Sequence, residues 1–437
     1  MLASSMYVTR IELEDLRGFL GGDARTDLPL PEDGSGWHVF AGRNGSGKST
    51  LLRSLAIGMI GPDHSRHLVP SFNPWIRADA GEALLRVHLG HGDGDIFKGI
   101  GKLPSRPFVA ELRLRKADDG GEPLLEFSPA RQKKLLGAWR GPWGENPRGW
   151  LVSGYGPFRR LTGHASDAQR VMVGPNHQRR LVSLFREDAS LVEAVGWLQE
   201  QQFRKLEKRE GANQLLNDVI ELLNNGLLPD GASVSRVDSE GLWVRRAGMD
   251  VELRELSDGY RVALALVLDI IRHMHDAYGE VRMAGGKDRV VDMPGVVLID
   301  EIDAHLHVSW QQRIGFWLSE RFPKVQFLVT THSPFVCQAA KPGGLFRLPS
   351  PGEPVGVQPV DDSTFKRVVN GTVNDAVLSH LFGLERSRSP RAQKLTEEWS
   401  RLRAKDSRSR LTSPERARFE DLTAQLPLPF DSTTSTQ

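Results

Sequence analysis

The chain has 437 residues, of which 39% are hydrophobic and 26% are charged, and its formal net charge is +2. This composition is typical of a soluble globular protein with two or three lobes. The small net charge excludes a surface that is basic throughout, so any nucleic-acid surface must be local. The single cysteine, Cys337, excludes an internal disulfide framework and suits a reducing compartment.

The first residues lack the basic start and apolar core of a signal peptide. The longest mainly apolar stretch, Val262 to Ile271, is far shorter than the roughly 20 residues that cross a membrane. We therefore expect a cytoplasmic protein with no membrane contact.

Strand patterns dominate the first part of the chain. Apolar and polar residues alternate from Val8 to Leu16, and a short apolar strand from Trp37 to Ala41 leads into a glycine-rich loop and a helix. Between about residues 81 and 160, alternating segments on both sides of an Asp-Asp-Gly-Gly turn predict an antiparallel β lobe. Within it, the glycines, prolines and tryptophans of residues 137–160 predict an irregular loop.

Helices and buried strands dominate the middle of the chain. A helical lobe is predicted over about residues 186–228, with one helical stretch from 188 to 223. A hairpin and a buried helix follow, and then the apolar segments 296–299 and 327–330 predict buried parallel strands joined by a crossover helix. The predicted fold class is α/β, with a mixed or parallel central sheet, an antiparallel β lobe and a helical insertion.

The glycine-rich loop matches the phosphate-binding pattern G-x-x-x-x-G-K-[ST] at every position. In such a loop, backbone N–H groups surround the β-phosphate at the start of a helix, where larger side chains would block it. Lys48 should reach the β- and γ-phosphates, and Ser49 should offer its hydroxyl to Mg²⁺. Nucleotide contacts are expected from Gly42, Arg43, Asn44, Gly45, Ser46, Gly47, Lys48, Ser49 and Thr50.

Two carboxylates follow the first of the buried strands. Asp300 is expected on the metal side, and Glu301, at the opposite side of the strand end, is the predicted general base for ATP hydrolysis. The next strand ends near His332, whose predicted role is to sense the γ-phosphate; a surface histidine is the alternative. His305 and His307 are poorly spaced for a metal site on a helix, and no third ligand accompanies them.

A second anion-binding pattern precedes the buried helix. Ser257 and Gly259 begin that helix and present a hydroxyl and backbone N–H groups, without a lysine. One chain cannot easily bring both anion sites onto one nucleotide, whereas two chains related by a two-fold axis can. We therefore predict a dimer in which this signature segment of each chain closes on the ATP held by the other.

The motifs resemble those of ABC-type ATPases over about residues 8–335. The resemblance assigns Walker A to residues 42–49, the signature to 256–259, Walker B to 296–301, the D-loop to Asp303 and the H-loop to His332. The strings RNGSGKSTLL, LSDGYR, IDEIDAHLH and TTHSP resemble the RecF/SMC-like branch. Within that branch, they are most similar to the predicted ATP-binding proteins of bacterial anti-phage defence systems such as Septu and certain retrons.

The resemblance implies ATP and Mg²⁺ as cofactors, a homodimer or larger homo-oligomer around ATP, and nucleotide contacts from Asp258 and Asp303. The chain departs from the branch at Val308, where a proline is frequent. The Q-loop residue is either Gln132 or is replaced by the segment GYGPFRR. Transport ATPases usually carry LSGGQ in place of LSDGY.

The ATPase domain is predicted over residues 1–345, and a helical basic segment with a disordered tail over 346–437. Thr412 and Glu415 predict a capping box at the start of the second helix of this segment. One face of the first helix carries Leu395, Trp399 and Leu402.

Basic residues outnumber acidic ones between Arg386 and Arg418, which suits a solvated helical hairpin or a surface for nucleic acid or a protein partner. No nuclease signature accompanies these helices, so any cutting is expected from a separate effector protein such as a nuclease. The sequence thus favours an ATPase that acts as sensor or motor of an anti-phage defence or DNA-repair complex. A transporter's nucleotide-binding subunit, or a scaffold that binds ATP with little turnover, are the alternatives.

Overall fold

The computed structural model describes residues 6–92, 94–104, 107–126, 132–159, 176–187, 189–286, 288–383, 388–407 and 410–426. The strands are β1 Val8–Glu14, β2 Thr26–Pro29, β3 Gly36–Ala41, β4 Glu82–Leu89, β5 Phe108–Arg115, β6 Leu124–Glu126, β7 Val152–Tyr155, β8 Ser233–Val237, β9 Leu242–Arg246, β10 Met249–Glu252, β11 Met283–Ala284, β12 Val290–Val291, β13 Gly295–Ile299, β14 Val325–Thr331, β15 Leu345–Arg347 and β16 Gln358–Pro359.

The helices are α1 Lys48–Ile60, α2 Pro62–Leu68, α3 Gln132–Arg140, α4 Asn176–Arg179, α5 Val182–Phe185, α6 Val192–Leu206, α7 Ala212–Asn224, α8 Asp258–Tyr278, α9 Val308–Arg321, α10 Pro334–Cys337, α11 Asp362–Val369, α12 Val373–Val377, α13 Pro390–Asp406 and α14 Ser413–Gln425. None of these helices is both long enough and apolar enough to span a membrane.

The central sheet contains β16, β15, β3, β14, β13 and β7 in that order. Five of these strands run parallel, and only β16 pairs antiparallel with its neighbour β15. In the register, Val329 of β14 lies between Ile299 of β13 and Val39 of β3. Because parallel strands end at one edge of a sheet, the loops that follow β3, β7, β13 and β14 meet there.

Helix α1 lies between this sheet and an antiparallel sheet of order β2-β1-β4-β5-β6. A Cβ atom on Gly58 would come within 2.5 Å of the Val87 side chain, so glycine permits the close packing of α1 on β4. The fully buried Gln326 of β14 donates to the carbonyl of Val8 at 2.9 Å and accepts from its N–H at 2.8 Å. The α/β fold with a largely parallel central sheet and an antiparallel lobe is thus confirmed.

The last segment of the predicted β lobe belongs to the central sheet. Residues 137–160 were expected to form an irregular loop, but α3 continues to Arg140 and Val152–Tyr155 forms β7, parallel to β13. The expectation was wrong because β7 has only four residues, two of them Ser153 and Gly154, and shows no alternation. Its position depends on long-range pairing, with Gly154 packed so closely on Leu181 that a Cβ would approach it to 2.8 Å.

The helical lobe is divided between Leu206 and Ala212. The predicted single stretch over 188–223 is two helices, α6 and α7, and the residues between them include Lys208 and Gly211 with φ values of 57° and 76°. Residues in this left-handed conformation cannot continue an α-helix. A three-stranded antiparallel sheet of order β10-β9-β8 follows and leads into α8.

Helix α8 is tied to the central sheet and to α6 by buried polar groups. Arg272 donates to Glu193 of α6 at 2.7 Å and to Asp269 on its own helix at 2.9 Å. The hydroxyl oxygen of Tyr155, on β7, lies 3.3 Å from Nδ1 of His273. Tyr155 and His273 are both buried, so this contact joins the sheet edge to the middle of the helix.

The chain forms two compact units, Met1–Ala376 and Val377–Gln437. In the second unit, the rings of Trp399 and Phe419 stack with centroids 5.8 Å apart, and the apolar face also carries the buried Leu402 and Leu422. The predicted capping box is confirmed, since the Thr412 side chain accepts from the N–H of Glu415 and the Glu415 side chain accepts from the N–H of Thr412. The predicted domain bounds, 1–345 and 346–437, stay a prediction.

Candidate nucleotide-binding site

The loop between β3 and α1 has the backbone that a phosphate cradle requires. Gly45 and Gly47 have φ values of 79° and 91°, which residues with a Cβ rarely adopt. At Gly42, a Cβ would approach the Ser46 hydroxyl to 2.7 Å and the Leu348 side chain to 3.0 Å. The glycines of the predicted motif are therefore required by the fold of the loop itself.

Lys48 is buried at the first position of α1. Its ammonium donates to the carbonyl oxygens of Gly42 and Arg43, each at 3.0 Å. An ammonium has three donors, so one remains for a phosphate oxygen. Burial lowers the pKa of Lys48, an effect that the carboxylates of Glu301, Asp300 and Asp303 oppose. Lys48 therefore interacts electrostatically with the acids of the turn that follows β13, residues 300–304, which we call the Walker B turn.

The other predicted residues of the loop are distributed around Lys48. Arg43, Asn44 and Gly45 are exposed at the tip, whereas Ser46 and Thr50 are buried and Ser49 is half-buried. The Thr50 hydroxyl accepts from Arg17 at 3.4 Å. The Ser46 hydroxyl is buried without a hydrogen-bond partner among the described residues, so the loop holds an unused polar group beside the lysine.

Asp300 follows β13 and is almost wholly buried. Its Oδ1 accepts from the Thr330 hydroxyl at 2.6 Å, and the same hydroxyl oxygen accepts from the Glu301 N–H at 2.8 Å. Its Oδ2 is buried and has no hydrogen-bond partner in the described part of the chain. A buried carboxylate oxygen without a donor is costly, and it is a ligand type that Mg²⁺ prefers. Asp300 and the hydroxyl of Ser49 therefore fit a magnesium ion.

The turn after Asp300 carries the remaining acids, and His332 lies at the end of the neighbouring strand. Asp303 accepts from the Thr331 hydroxyl at 2.5 Å and from the His332 N–H at 3.3 Å, which joins this turn to β14. Glu301 is half-buried and has a φ of 45°. Burial lowers the pKa of His332, and the nearby Lys48 lowers it further. The structure thus brings Lys48, Asp300, Glu301, Asp303 and His332 to one end of the sheet.

Arg159, which the sequence analysis did not single out, donates hydrogen bonds to the backbone of this turn. It is 1% exposed, and its guanidinium donates to five carbonyl oxygens within 3.2 Å. Burial lowers its pKa to about 10 even though the Walker B acids favour the charged form. Its acceptors are Gly156, Asp300, Glu301, Ile302 and Ala304.

The signal for Arg159 in the sequence is the string GYGPFRR, the alternative to Gln132 at the Q-loop position. That string begins within β7 at Gly154, and the carboxyl end of β7 lies beside the end of β13. The other Q-loop candidate, Gln132, begins α3, a helix that packs on β5 of the antiparallel sheet. The side chain of Gln132 lies outside the described residues.

The signature segment lines a separate cavity. Ser257 is the N-cap residue of α8, and Ser257, Asp258 and Gly259 face a cavity of about 450 Å³. Asp258 forms an ion pair with Arg261 one turn along the helix. Among the described residues, the lining of this cavity includes no member of the Walker A loop. Its other walls include Asp230, Arg246, Tyr260, His305, His307 and Trp310.

The comparisons with known proteins identify a family for this chain. The family described as "AAA domain, putative AbiEii toxin, Type IV TA system" matches residues 110–338, more than half of the chain. The chain belongs to this AAA family. The matched range of this AAA protein includes β13, the Walker B turn and the signature segment.

Curated relatives of this AAA protein include a Septu protein and a retron probable ATPase. It is 25% identical over 332 residues to the Septu protein PtuA of Bacillus mycoides (strain KBAB4), a match that covers 75% of this chain and 38% of the relative. It is 33% identical over 164 residues to the Retron Ec83 probable ATPase of Escherichia coli, covering 37% of this chain and 27% of the relative. The chain spans less than half the length of these relatives. The resemblance to proteins of the Septu and retron systems is thus confirmed.

Solved structures give a more distant likeness. An SMC head bound to the C-winged helix domain of ScpA has a TM-score of 0.46 and 18% identity, covering 82% of this chain and 99% of that chain. The SMC head domain from Thermotoga maritima has a TM-score of 0.41 and 17% identity, covering 81% and 99%.

Proposed function

We propose that this AAA protein hydrolyses Mg-ATP and that two copies close around two nucleotides. The observation that carries the proposal is the separation of two helix N-termini, each of which is suited to bind phosphate. The start of α1 has a buried lysine beside the Walker B acids, while the start of α8 lines a cavity of its own. Two copies facing each other supply both starts to each nucleotide.

Nucleotide binding belongs to the Walker A side. The loop N–H groups and the positive end of the α1 dipole attract the phosphates, and Lys48 donates to the β- and γ-phosphate oxygens. Asp300 and Ser49 would hold Mg²⁺, which when bound neutralises charge on the phosphate oxygens. Thr330 keeps the Asp300 carboxylate in place through its 2.6 Å hydrogen bond.

Hydrolysis belongs to the Walker B turn. Glu301 accepts a proton from the attacking water as the water oxygen bonds to the γ-phosphorus and the bond to the leaving ADP oxygen breaks. His332 contacts the γ-phosphate as a neutral group, because burial and Lys48 keep its pKa low. Asp303 holds the backbone of His332 beside this turn.

We assign the protein to the ATPase side of an anti-phage defence or DNA-repair complex, as sensor or motor. This assignment is supported by the relatives named Septu protein PtuA and Retron Ec83 probable ATPase. A separate effector protein, such as a nuclease, is part of the proposal.

The first test addresses hydrolysis. Glu301→Gln keeps the shape of the side chain but removes the proton acceptor, so turnover should fall by about 10²–10⁴-fold with ATP binding retained. With ATP bound and not hydrolysed, the fraction of dimer should then increase, because part of the ATP-binding free energy is gained only in the closed dimer. The matched control is Glu320→Gln, an exposed acid on α9, which should leave turnover unchanged. Unchanged turnover in Glu301→Gln would remove it from the role of base.

The second test addresses the composite site. A Lys48→Ala chain and a Ser257→Arg chain should each lack turnover alone, because each pure dimer has a defect in both sites. In the mixed dimer, one site receives an intact Lys48 and an intact Ser257, so turnover should return. If mixed dimers form but remain inactive, the composite site is wrong.

A further inference from the structure

Arg246 stands at the end of a hairpin that leads directly into the signature segment. It is the last residue of β9, pairs with Met249 across the turn to β10, and is exposed. From β10 the chain passes through a single short turn to Ser257 at the start of α8. Arg246 lines the same cavity as Ser257 and Gly259, so a cation lies beside the helix start that has no lysine.

The neighbouring arginine, Arg245, makes different contacts from Arg246. Arg245 lies on the other face of the ribbon and donates to Asp250 at 3.0 Å. Arg246 has no acidic partner within 4.0 Å among the described residues, and its Cζ lies 5.6 Å from the ring centroid of Tyr260. Because cation–π contacts act within about 6 Å, this ring holds the guanidinium over the cavity.

The walls of the cavity favour an anionic occupant. Tyr260 is 5% exposed and lines the cavity, yet its hydroxyl has no hydrogen-bond partner within the described part of the chain. The 21-residue helix α8 directs the positive end of its dipole at the same space. Of the two acids on the walls, Asp258 is paired with Arg261, which leaves Asp230 as the opposing charge.

We propose that Arg246 donates to the γ-phosphate of the nucleotide held by the Walker A loop of a second copy of this chain. The inference rests on the proposed composite site and adds a catalytic residue to it. The guanidinium forms no covalent bond: it stabilises the negative charge on the γ-phosphoryl oxygens while water attacks and ADP leaves. The planar fork of Arg246 suits phosphate oxygens, which a lysine can contact only as a point charge.

Arg246→Ala should reduce turnover by about 10²–10³-fold, the cost of removing one donor that stabilises developing oxyanion charge. Its ATP affinity in the separated chain should stay within about twofold, because an exposed side chain outside the Walker A loop contributes little there. Arg246→Lys should recover only part of the turnover. The matched control, Arg245→Ala, removes the adjacent arginine of the same hairpin and should leave turnover unchanged.

Mixing experiments decide whether Arg246 acts on its own chain or on the second copy. With Lys48→Ala and Arg246→Ala chains combined, one site of the mixed dimer has both residues intact, so turnover should return. If Arg246 served the nucleotide of its own chain, that mixture would stay inactive. The mixture of Lys48→Ala with Ser257→Arg serves as the reference.

Each outcome separates the two proposals. Recovery with Ser257→Arg but none with Arg246→Ala keeps the composite site and overturns the role of Arg246. No recovery in either mixture overturns the composite site itself. Equal turnover losses in Arg246→Ala and Arg245→Ala, or a large loss of ATP affinity in the separated Arg246→Ala chain, would also overturn the proposal.

Discussion

Helices α1 and α8 both begin with small residues and free N–H groups, but their surroundings differ. The start of α1 holds a buried lysine within the electrostatic reach of Asp300, Glu301 and Asp303. The start of α8 is open to a cavity, and Arg246, a cation on the wall of that cavity, is exposed. In the proposed composite site, the lysine side binds a nucleotide within one chain, whereas the α8 side gains a phosphate only from a second copy. Equivalent local motifs can thus have different functions because of the charges that surround them.

The largest expected difference is in nucleotide affinity. Lys48→Ala should weaken ATP binding by about 10–100-fold, since it deletes a charged hydrogen-bond donor to phosphate. Ser257→Arg should leave the affinity of the separated chain within about twofold, while it removes turnover. Titration with a fluorescent ATP analogue measures both. Lys366→Ala, an exposed lysine on α11, is the control. Equal losses of affinity in Lys48→Ala and Ser257→Arg would mean that both helix starts serve one nucleotide within the chain.

Arg159 supports the α1 side of the proposed site, because four of its five carbonyl contacts are made with the Walker B turn. Arg159→Met leaves these acceptors without donors and should lower the free energy of unfolding by roughly 2–4 kcal/mol. Since the Walker B turn loses its support, kcat should fall at least ~10-fold with KM little changed. Arg159→Lys should recover part of kcat, because it keeps the charge and some of the donors.

Steady-state kinetics and urea unfolding separate the two effects of Arg159. The control is Arg148→Met, an exposed arginine before β7, which should change neither quantity. A loss of stability in Arg159→Met with unchanged kcat would show that Arg159 supports the fold without positioning the turn.

Acid should loosen α8 more than α1. Burial and the neighbouring Arg272 hold the pKa of His273, on α8, well below 6.5. In the unfolded segment this histidine takes up a proton near pH 6.5, so the unfolded state binds more protons and stability falls as pH drops below that value, by up to about 1.4 kcal/mol per pH unit.

Amide hydrogen exchange at pH 7.5 and 5.5, corrected for the intrinsic rate, measures this difference. Protection of the α8 amides should fall more than that of α1, and His273→Asn should remove the excess. An equal loss of protection in both helices would contradict the assignment of the effect to His273.

The smallest effect is expected from the second unit. Its helices pack on each other through Trp399, Phe419, Leu402 and Leu422. A chain that ends at Gly383 should therefore bind and hydrolyse ATP within about twofold of the full chain. If the second unit binds an effector, cells that carry the truncated chain should no longer resist infection in a phage-challenge assay. A truncated chain without turnover would show that the second unit supports the ATPase site.

Local motifs made the α1 side predictable from sequence. The glycines and Lys48 are adjacent in the chain, and Asp300 and Glu301 directly follow an apolar strand, so spacing alone predicted that they lie at the ends of buried strands. The capping box at Thr412 and Glu415 was predictable for the same reason, since both partners lie within one turn.

Long-range contacts explain what the sequence did not predict. Strand β7 exists because it pairs with β13, which lies about 140 residues later, and nothing in Val152–Tyr155 alone indicates a strand. Arg159 and Arg246 are ordinary arginines in the sequence. The roles proposed for them rest on the carbonyls and the cavity that distant segments bring to them.

Tyr155 connects the turn after β13 to helix α8. Its carbonyl accepts from the N–H of Asp300 at 2.7 Å, while its hydroxyl contacts His273 in the middle of α8. The two contacts of Tyr155 thus form a direct path from α8 to Asp300. If two copies close around ATP as proposed, a movement of α8 during closure would reach the proposed magnesium ligand through this one side chain.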